Sequence, residues 1–410
     1  MRQIIIILTV LFNFSSASSQ ESNIDRTKVR EDFNQIIENI KNLYVYLDDK
    51  ELNMNCIEEK YVAKIDTLKN QADVILFFEY LLNEFYDSHI SLSTNIRESY
   101  RLSAPIYIEL KNGKAFIKNV WQTQIDNLDE NILGAEILKF NGVDFIKKID
   151  DFPSICNDKT LPEVRNWIAN KIVSGKYSEP RLLSLKVEDG QNVQLDLDKL
   201  NFKKESELLS YRIENGIGII RINNSLGNNQ LISEFDKTLD SLFYTKGLII
   251  DLRNTNNGGN TYVGKGIMGR FTDKELPYQK HMYVESYDNQ PKIVRSWFEH
   301  VSPRGNQYQK PVIILVGRWT GSMGEGIAIG FDAMERAEIV GTEMKRLAGS
   351  DFDFRFENQG FGYKLILQKL YHINGNPREL YVPTNYVKQS TIKKDEVLEK
   401  GTELINKMVK

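Results

Sequence analysis

Cysteine is scarce in this sequence: there are two among 410 residues. Cys56 and Cys156 lie 100 positions apart, and neither has a second cysteine or a histidine at the spacing of a zinc site. We therefore expect no zinc centre. The pair fits a disulfide in an oxidising compartment and two buried free thiols equally well.

The sequence also lacks a marked excess of charge of one sign. Its 53 basic and 56 acidic side chains leave a net charge of -3. No overall field favours nucleic acid or an anionic membrane surface. Any partner must be recognised locally, and we expect no nucleic-acid partner.

Long hydrophobic runs are missing as well, apart from a short one near the start. Residues 1–20 combine a charged beginning, an apolar stretch from Ile4 to Phe12 and a small polar run. This pattern predicts an export signal over 1–19, cleaved near Ser19, because the apolar stretch is too short to span a membrane. We expect a periplasmic or extracellular protein without an integral membrane span, and no cysteine follows the stretch for lipid attachment.

Three segments follow. Residues 20–100 place apolar residues at helical spacing and predict a helical cap, and residues 101–205 consist of short alternating runs and predict a β-rich domain. Residues 206–410 alternate strand and helix patterns, which predicts a mixed α/β core. The length suits such an organisation. Binding groups in the core should gather at the carboxyl ends of its strands.

The most informative motif runs from 311 to 334. An apolar strand pattern ends in Gly321-Ser322, and a helix pattern follows. A glycine-flanked serine between strand and helix suits a nucleophilic hydroxyl at a helix N-terminus. The alternative is a helix cap, since Glu325 stands where a capping box needs it.

Several segments, in order, resemble the C-terminal-processing and tricorn-type serine peptidases, also called tail-specific proteases. The segment 247–259 resembles the family's strand and glycine loop. Ser322, three residues before Glu325, resembles the family's nucleophile turn, and the segment 339–341 resembles the strand that follows the helix. The segment 133–143 resembles the central strand and turn of a PDZ module, without a recognisable carboxylate-binding loop. The resemblance implies a ClpP/crotonase-like α/β core, a PDZ-like β-rich domain, and hydrolysis of peptide bonds through an acyl-enzyme on Ser322, without metal or organic cofactor.

The resemblance also bears on the general base that a serine needs. The family's processing branch uses a lysine at the position of Leu347, which cannot take a proton. Lys345 is two positions away, and its commoner interpretation is a solvated surface lysine. The tricorn-type branch uses a histidine after a serine, and Ser88-His89 resembles that pair. This predicts His89 as the base, with Ser88 as an accessory hydroxyl.

Glu379 lies in a segment that resembles the family's late glutamate loop, so the resemblance implies that it orients His89. A surface glutamate paired with Arg378 or another cation is the alternative. The remaining histidines have other expected roles: His281 and His300 in a loop or binding surface, and His372 in a surface turn.

The oxyanion of an acyl transfer needs backbone donors. Met323 N–H follows the nucleophile at a helix N-terminus, and we expect the second donor from the loop that contains Gly258 and Gly259. Glycines permit positive φ and close approach there, although an ordinary turn has the same composition.

The predicted function is thus that of an exported serine peptidase acting on peptides or unfolded protein. Two alternatives remain: a catalytically silent peptide-binding or scaffold protein on the same fold, and an esterase-like acyl hydrolase. The aromatic-rich insertion 271–309 is a candidate substrate-covering loop, or equally a core or interface patch. Sequence preference, physiological substrate and oligomeric state stay open.

Overall fold

A computed structural model describes residues 24–50, 52–285 and 290–410. The predicted export signal over 1–19 and Tyr287 of the insertion lie outside these ranges. Within them, no helix has the length and apolar content needed to cross a membrane.

The N-terminal segment is helical, as predicted. Its elements are α1 (Arg26–Leu43), α2 (Met54–Ile65) and α3 (Gln71–Asn83), followed by the short strand β1 (Ser91–Ser93). The helices begin at Asp25, Asn53 and Asn70, whose side chains accept hydrogen bonds from first-turn N–H groups. Their core also contains Phe356, Tyr363 and Ile366, so the cap packs on a C-terminal part of the chain.

The next segment forms an antiparallel sheet with two helices. It contains β2 (Ile106–Lys111), β3 (Lys114–Val120), β4 (Glu136–Phe140), β5 (Val143–Asp144), α4 (Phe145–Asp150), α5 (Pro162–Ser174), β6 (Leu182–Lys186) and β7 (Asn192–Asp196). The order is β2-β3-β4-β6-β7, with β5 paired to β4. Its apolar residues form a core of their own. The strands predicted there are confirmed, and PDZ-like character remains a prediction.

Strands and helices alternate in the rest of the chain, which confirms the predicted mixed α/β fold. The elements are β8 (Leu209–Glu214), β9 (Ile217–Ile222), α6 (Gln230–Ser241), β10 (Gly247–Asp251), α7 (Thr261–Met268), β11 (Leu276–Glu285), β12 (Ile293–Val301), β13 (Val312–Val316), α8 (Met323–Ala333), β14 (Glu338–Gly341), β15 (Ser350–Arg355), β16 (Gly362–Tyr371), β17 (Asn385–Tyr386) and α9 (Glu396–Met408).

The central sheet has the order β17-β14-β13-β10-β9-β8, and all its pairs are parallel except β8 with β9. β10 and β13 are neighbours, and each is buried along its whole length. Continuous apolar runs are typical of a parallel sheet covered on both faces. The carboxyl ends of β10 and β13 therefore meet, and they bring the glycine loop next to the Ser322 turn.

The described part of the insertion 271–309 contains two paired strands and not a loop, and its covering role remains a prediction. β11 and β12 pair antiparallel, and β11 also pairs with β16. Tyr278 and Tyr308 are buried in the main core, as the core alternative predicted. Near the hairpin tip, Ile293 and Val294 are exposed.

His281 and His372 are buried, so the loop interpretation of His281 and the surface-turn interpretation of His372 are wrong. His281 is a buried residue of β11 that contacts Gln279 and Gln368 through its ring nitrogens. His372 is buried and lies 3.2 Å from Asp332. His300 is a β12 residue opposite Pro277.

Cys56 and Cys156 form a disulfide that joins α2 to the segment between α4 and α5. The buried Glu84 supports the same junction, because its carboxylate accepts the backbone N–H groups of Ile155, Cys156 and Asn157. The pairing resolves the open choice in favour of the bridge.

Candidate functional site

Ser322 is the N-cap of α8, at the end of the connection from β13. Its φ of +48° is unusual for a residue with a side chain. Such strain persists only when surrounding contacts impose it, and it is typical of functional turns. The side chain is partly exposed, so a ligand can reach it.

Glu325 fixes the Ser322 turn from inside the protein. Its buried carboxylate accepts the Ser322 N–H at 2.8 Å, the Arg346 N–H at 2.8 Å and the Leu347 N–H at 3.3 Å. Burial raises its pKa despite these donors. The cap interpretation is therefore right about Glu325, and the same carboxylate holds the segment 345–347 beside the turn.

The glycine loop after β10 packs directly against Ser322. Gly258 has a φ of +64°, and a β-carbon added there would collide with the Ser322 β-carbon. The Gly258 N–H donates to the Thr255 carbonyl at 2.9 Å within its own turn. The N–H groups of Gly259 and Met323 have no acceptor in the part of the chain that the structure describes. Their role as donors to an anion at Ser322 remains a prediction.

Lys345 is not the solvated surface lysine that its commoner interpretation suggests. It is partly buried, its Nζ donates to the Asn256 carbonyl at 3.1 Å, and its Cδ would lie 3.1 Å from a β-carbon added to Gly321. Burial lowers its pKa to about 8, against the opposing effect of Glu325. An amine that loses its proton readily thus lies beside the residue preceding Ser322. Leu347 is buried, and its N–H is the one that Glu325 accepts.

His89 is buried, and both of its ring nitrogens have partners. Nδ1 lies 2.9 Å from the Ala348 carbonyl oxygen, and Nε2 lies 3.3 Å from Asp351 Oδ1. Burial lowers the pKa of His89, while Asp351 opposes that shift. None of the hydrogen bonds found among the described residues joins His89 to Ser322 or to Glu379.

Asp351 is a partner of His89 that the sequence did not reveal. It stands in β15, whose pattern of charges and aromatics resembles any exposed strand. Its other oxygen pairs with Lys364 Nζ at 2.5 Å. Burial opposes its ionisation, but His89 and Lys364 outweigh that effect and lower its pKa.

Glu379 lies in a short 3₁₀ turn, Arg378–Leu380. Its Oε1 accepts the Tyr46 hydroxyl at 3.1 Å, and its Oε2 is buried without a partner in the described ranges. Burial raises its pKa. The alternative pairing with Arg378 is not formed, because that guanidinium donates to the carbonyls of Leu347 and Gly349.

A cleft of about 580 Å³ lies at the site; Lys345 and Glu379 line it, whereas Ser322 and His89 are not among its lining residues. It is bounded by the cap, the antiparallel sheet and the core, and its lining includes Ser88, Tyr107, Arg318, Lys345 and Glu379. Ser88 and Glu379 therefore share one cleft with Lys345.

Comparison with known proteins identifies the class. The model of peptidase family S41 matches residues 216–384, and that of the tricorn protease C1 domain matches residues 25–83. The first match contains the glycine loop, the Ser322 turn and Glu379. Residues 216–384 thus match a peptidase domain of family S41. The chain is accordingly a serine-type peptidase, whose substrates are peptides or proteins.

Solved structures agree on the fold of this peptidase. Mature CPAF in complex with lactacystin is similar with a TM-score of 0.62 and 14% identity, over 94% of this chain and 98% of that one. The photosystem II D1 C-terminal processing protease is similar with a TM-score of 0.55 and 13% identity, over 94% and 97% of the two chains. A search of curated proteins found no match.

Proposed function

We propose that this peptidase cleaves peptide bonds outside the cytoplasm through an acyl-enzyme on Ser322. The observation that carries the proposal is the position of Ser322, a strained and accessible serine between a buried strand and a helix N-terminus, against a glycine loop. That arrangement presents a hydroxyl while limiting its conformations.

The oxyanion in this proposal is held by the N–H groups of Met323 and Gly259. Both lack an acceptor among the described residues, and Met323 also begins α8, where the helix dipole favours negative charge. Gly258 contributes differently, because its own N–H closes the turn and its missing side chain admits Ser322.

His89 remains the proposed base, on the resemblance of Ser88-His89 to the histidine-using branch. To act, its Nε2 has to exchange Asp351 for Ser322, and its Nδ1 has to exchange the Ala348 carbonyl for Glu379, with Ser88 as the accessory hydroxyl. The position and lowered pKa of Lys345 support a second hypothesis, in which the lysine takes the proton. The two hypotheses give different pH profiles of activity.

Export to the periplasm or the extracellular space is part of the proposal. The sequence over 1–19 motivates it, and the Cys56–Cys156 disulfide supports it, because disulfides persist in oxidising compartments. The PDZ-like interpretation of the antiparallel sheet and a ClpP/crotonase-like interpretation of the core also belong to the proposal. A PDZ-like domain would bind an extended chain end by adding a strand to a sheet edge.

The test compares hydrolysis of a peptide library and of matched esters by the wild-type protein and by Ser322→Ala. We expect wild-type cleavage of both and loss of both in the variant. Cleavage of esters alone would favour an acyl hydrolase. No hydrolysis by folded wild-type protein would favour a silent binding protein and contradict the proposal.

A further inference from the structure

Arg318 is a cleft arginine without a carboxylate partner. It stands four residues before Ser322, in the connection between β13 and α8. Its guanidinium lies on the Tyr107 ring, with Cζ 3.7 Å from the ring centre, and its Nη1 donates to the Met344 carbonyl at 2.9 Å. A guanidinium has five N–H donors. Among the described residues no Asp or Glu pairs with Arg318, and this single bond leaves four donors free.

Among the described residues no carboxylate lies at ion-pair distance from Arg318, although Glu109 and Glu379 also line the cleft. Lys345 and Arg346 line the same cleft, and the carboxylate nearest Arg346, that of Glu343, is 4.0 Å away and also faces Lys118. Glu325 is occupied by backbone N–H groups. Burial lowers the pKa of Arg318 and Arg346 adds to that shift, while Tyr107, Glu325 and Glu343 oppose it. A partly buried cation with unused donors and no carboxylate partner favours an anionic ligand.

We infer that Arg318 is a specificity residue that binds a carboxylate of the substrate close to the scissile bond. The carboxylate belongs either to an Asp or Glu side chain or to the end of the substrate chain. The stacked Tyr107 ring fixes the guanidinium plane, which suits a two-bond contact with a carboxylate. The inference rests on the proposed role of Ser322, which ends the same β13–α8 connection four residues after Arg318. Lys345, which lines the cleft with Arg318, also lies beside Gly321, the residue before Ser322.

The test uses peptides that differ only by Glu or Gln at one position, scanned across the cleavage site. Each peptide is made with a free C-terminal carboxylate and as an amide. We expect wild-type kcat/KM to favour one carboxylate by about tenfold to a hundredfold, as for a hydrogen bond to a charged group. The preferred pair identifies its source. Arg318→Gln should abolish the preference, and Arg318→Lys should lower it, because lysine lacks the planar fork.

Arg212→Gln is the matched control, because Arg212 is exposed on β8 and pairs locally with Glu214. It should keep the full preference. If Arg318→Gln does not fold, the carboxylate preference is measured on Arg318→Lys instead. An unchanged preference in Arg318→Lys overturns the inference. A wild-type protein that prefers neither carboxylate overturns it too.

Binding separates this inference from the proposed function. Fluorescence anisotropy of labelled Glu and Gln peptides is measured on Ser322→Ala, with and without Arg318→Gln. A carboxylate preference that disappears with Arg318 upholds the inference even if wild-type protein hydrolyses nothing. A preference that survives without Arg318 contradicts it, whatever the activity.

Discussion

Gly258→Ala is the substitution whose effect follows most directly from the structure. The added β-carbon would occupy the space of the Ser322 β-carbon and would lie 3.1 Å from the Met323 N. The residue would also keep a φ of +64°. A residue with a side chain pays about 1–2 kcal/mol for that backbone conformation. Relief of the collision requires the glycine loop and the Ser322 turn to move apart.

The predicted cost therefore has two parts. Stability falls by about 1–2 kcal/mol from the backbone, plus a steric contribution. Activity falls by about a hundredfold, because a displacement of about 1 Å at a reacting atom has that effect. Both are measurable, by denaturant unfolding and by the rate constant for acylation of Ser322 with a fluorophosphonate.

Gly113→Ala is the control for the backbone part. Gly113 has a similar φ of +74°, but a β-carbon added there meets no atom within 4 Å. It should lose similar backbone stability and retain wild-type acylation. An acylation rate in Gly258→Ala within a few-fold of wild type would refute the claim that this glycine positions the nucleophile.

Two further predictions concern the base and the disulfide. His89→Ala should lower kcat by about 10⁴-fold or more, and Lys345→Met should leave kcat within about tenfold of wild type. A large loss in Lys345→Met and a small one in His89→Ala would assign the base to the lysine. A general base acts when it is deprotonated, so activity should rise with pH through the pKa of the base. If the base is His89, the rise should lie below the usual histidine pKa of about 6.5, because burial lowers the pKa of His89. If the base is Lys345, the rise should lie near pH 8. Replacing Cys56 and Cys156 by serine should cost about 2–5 kcal/mol of unfolding free energy, since the bridge closes a loop with a sequence separation of 100. An unchanged denaturation midpoint would argue against a bridge in the folded protein.

The parts of the fold that were predictable from the sequence depend on local patterns. The buried strand, glycines and helix around Ser322 are contiguous, so their geometry is encoded within 311–334. The hairpin of β11 and β12 was missed because its polar and aromatic residues lack clear alternation, and its pairing with β16 is a long-range contact.

The surroundings of the predicted base were out of reach for the same reason. His89 meets Ala348 and Asp351 because β1 pairs with β16 and β16 with β15, and no local pattern specifies that register. Lys345 was interpreted from its residue type alone. Its burial depends on the buried carboxylate of Glu325, which binds the two residues that follow it.

The central claim is that Ser322 is the activated serine, and the most direct measurement is the site of fluorophosphonate labelling. Folded wild-type protein is incubated with the probe. Its intact mass is then measured, and the labelled residue is located by peptide mass spectrometry. We predict one adduct per chain, on Ser322, and none on Ser322→Ala. An unlabelled wild-type protein, or an adduct on the cleft serines Ser88 or Ser103, would contradict the account.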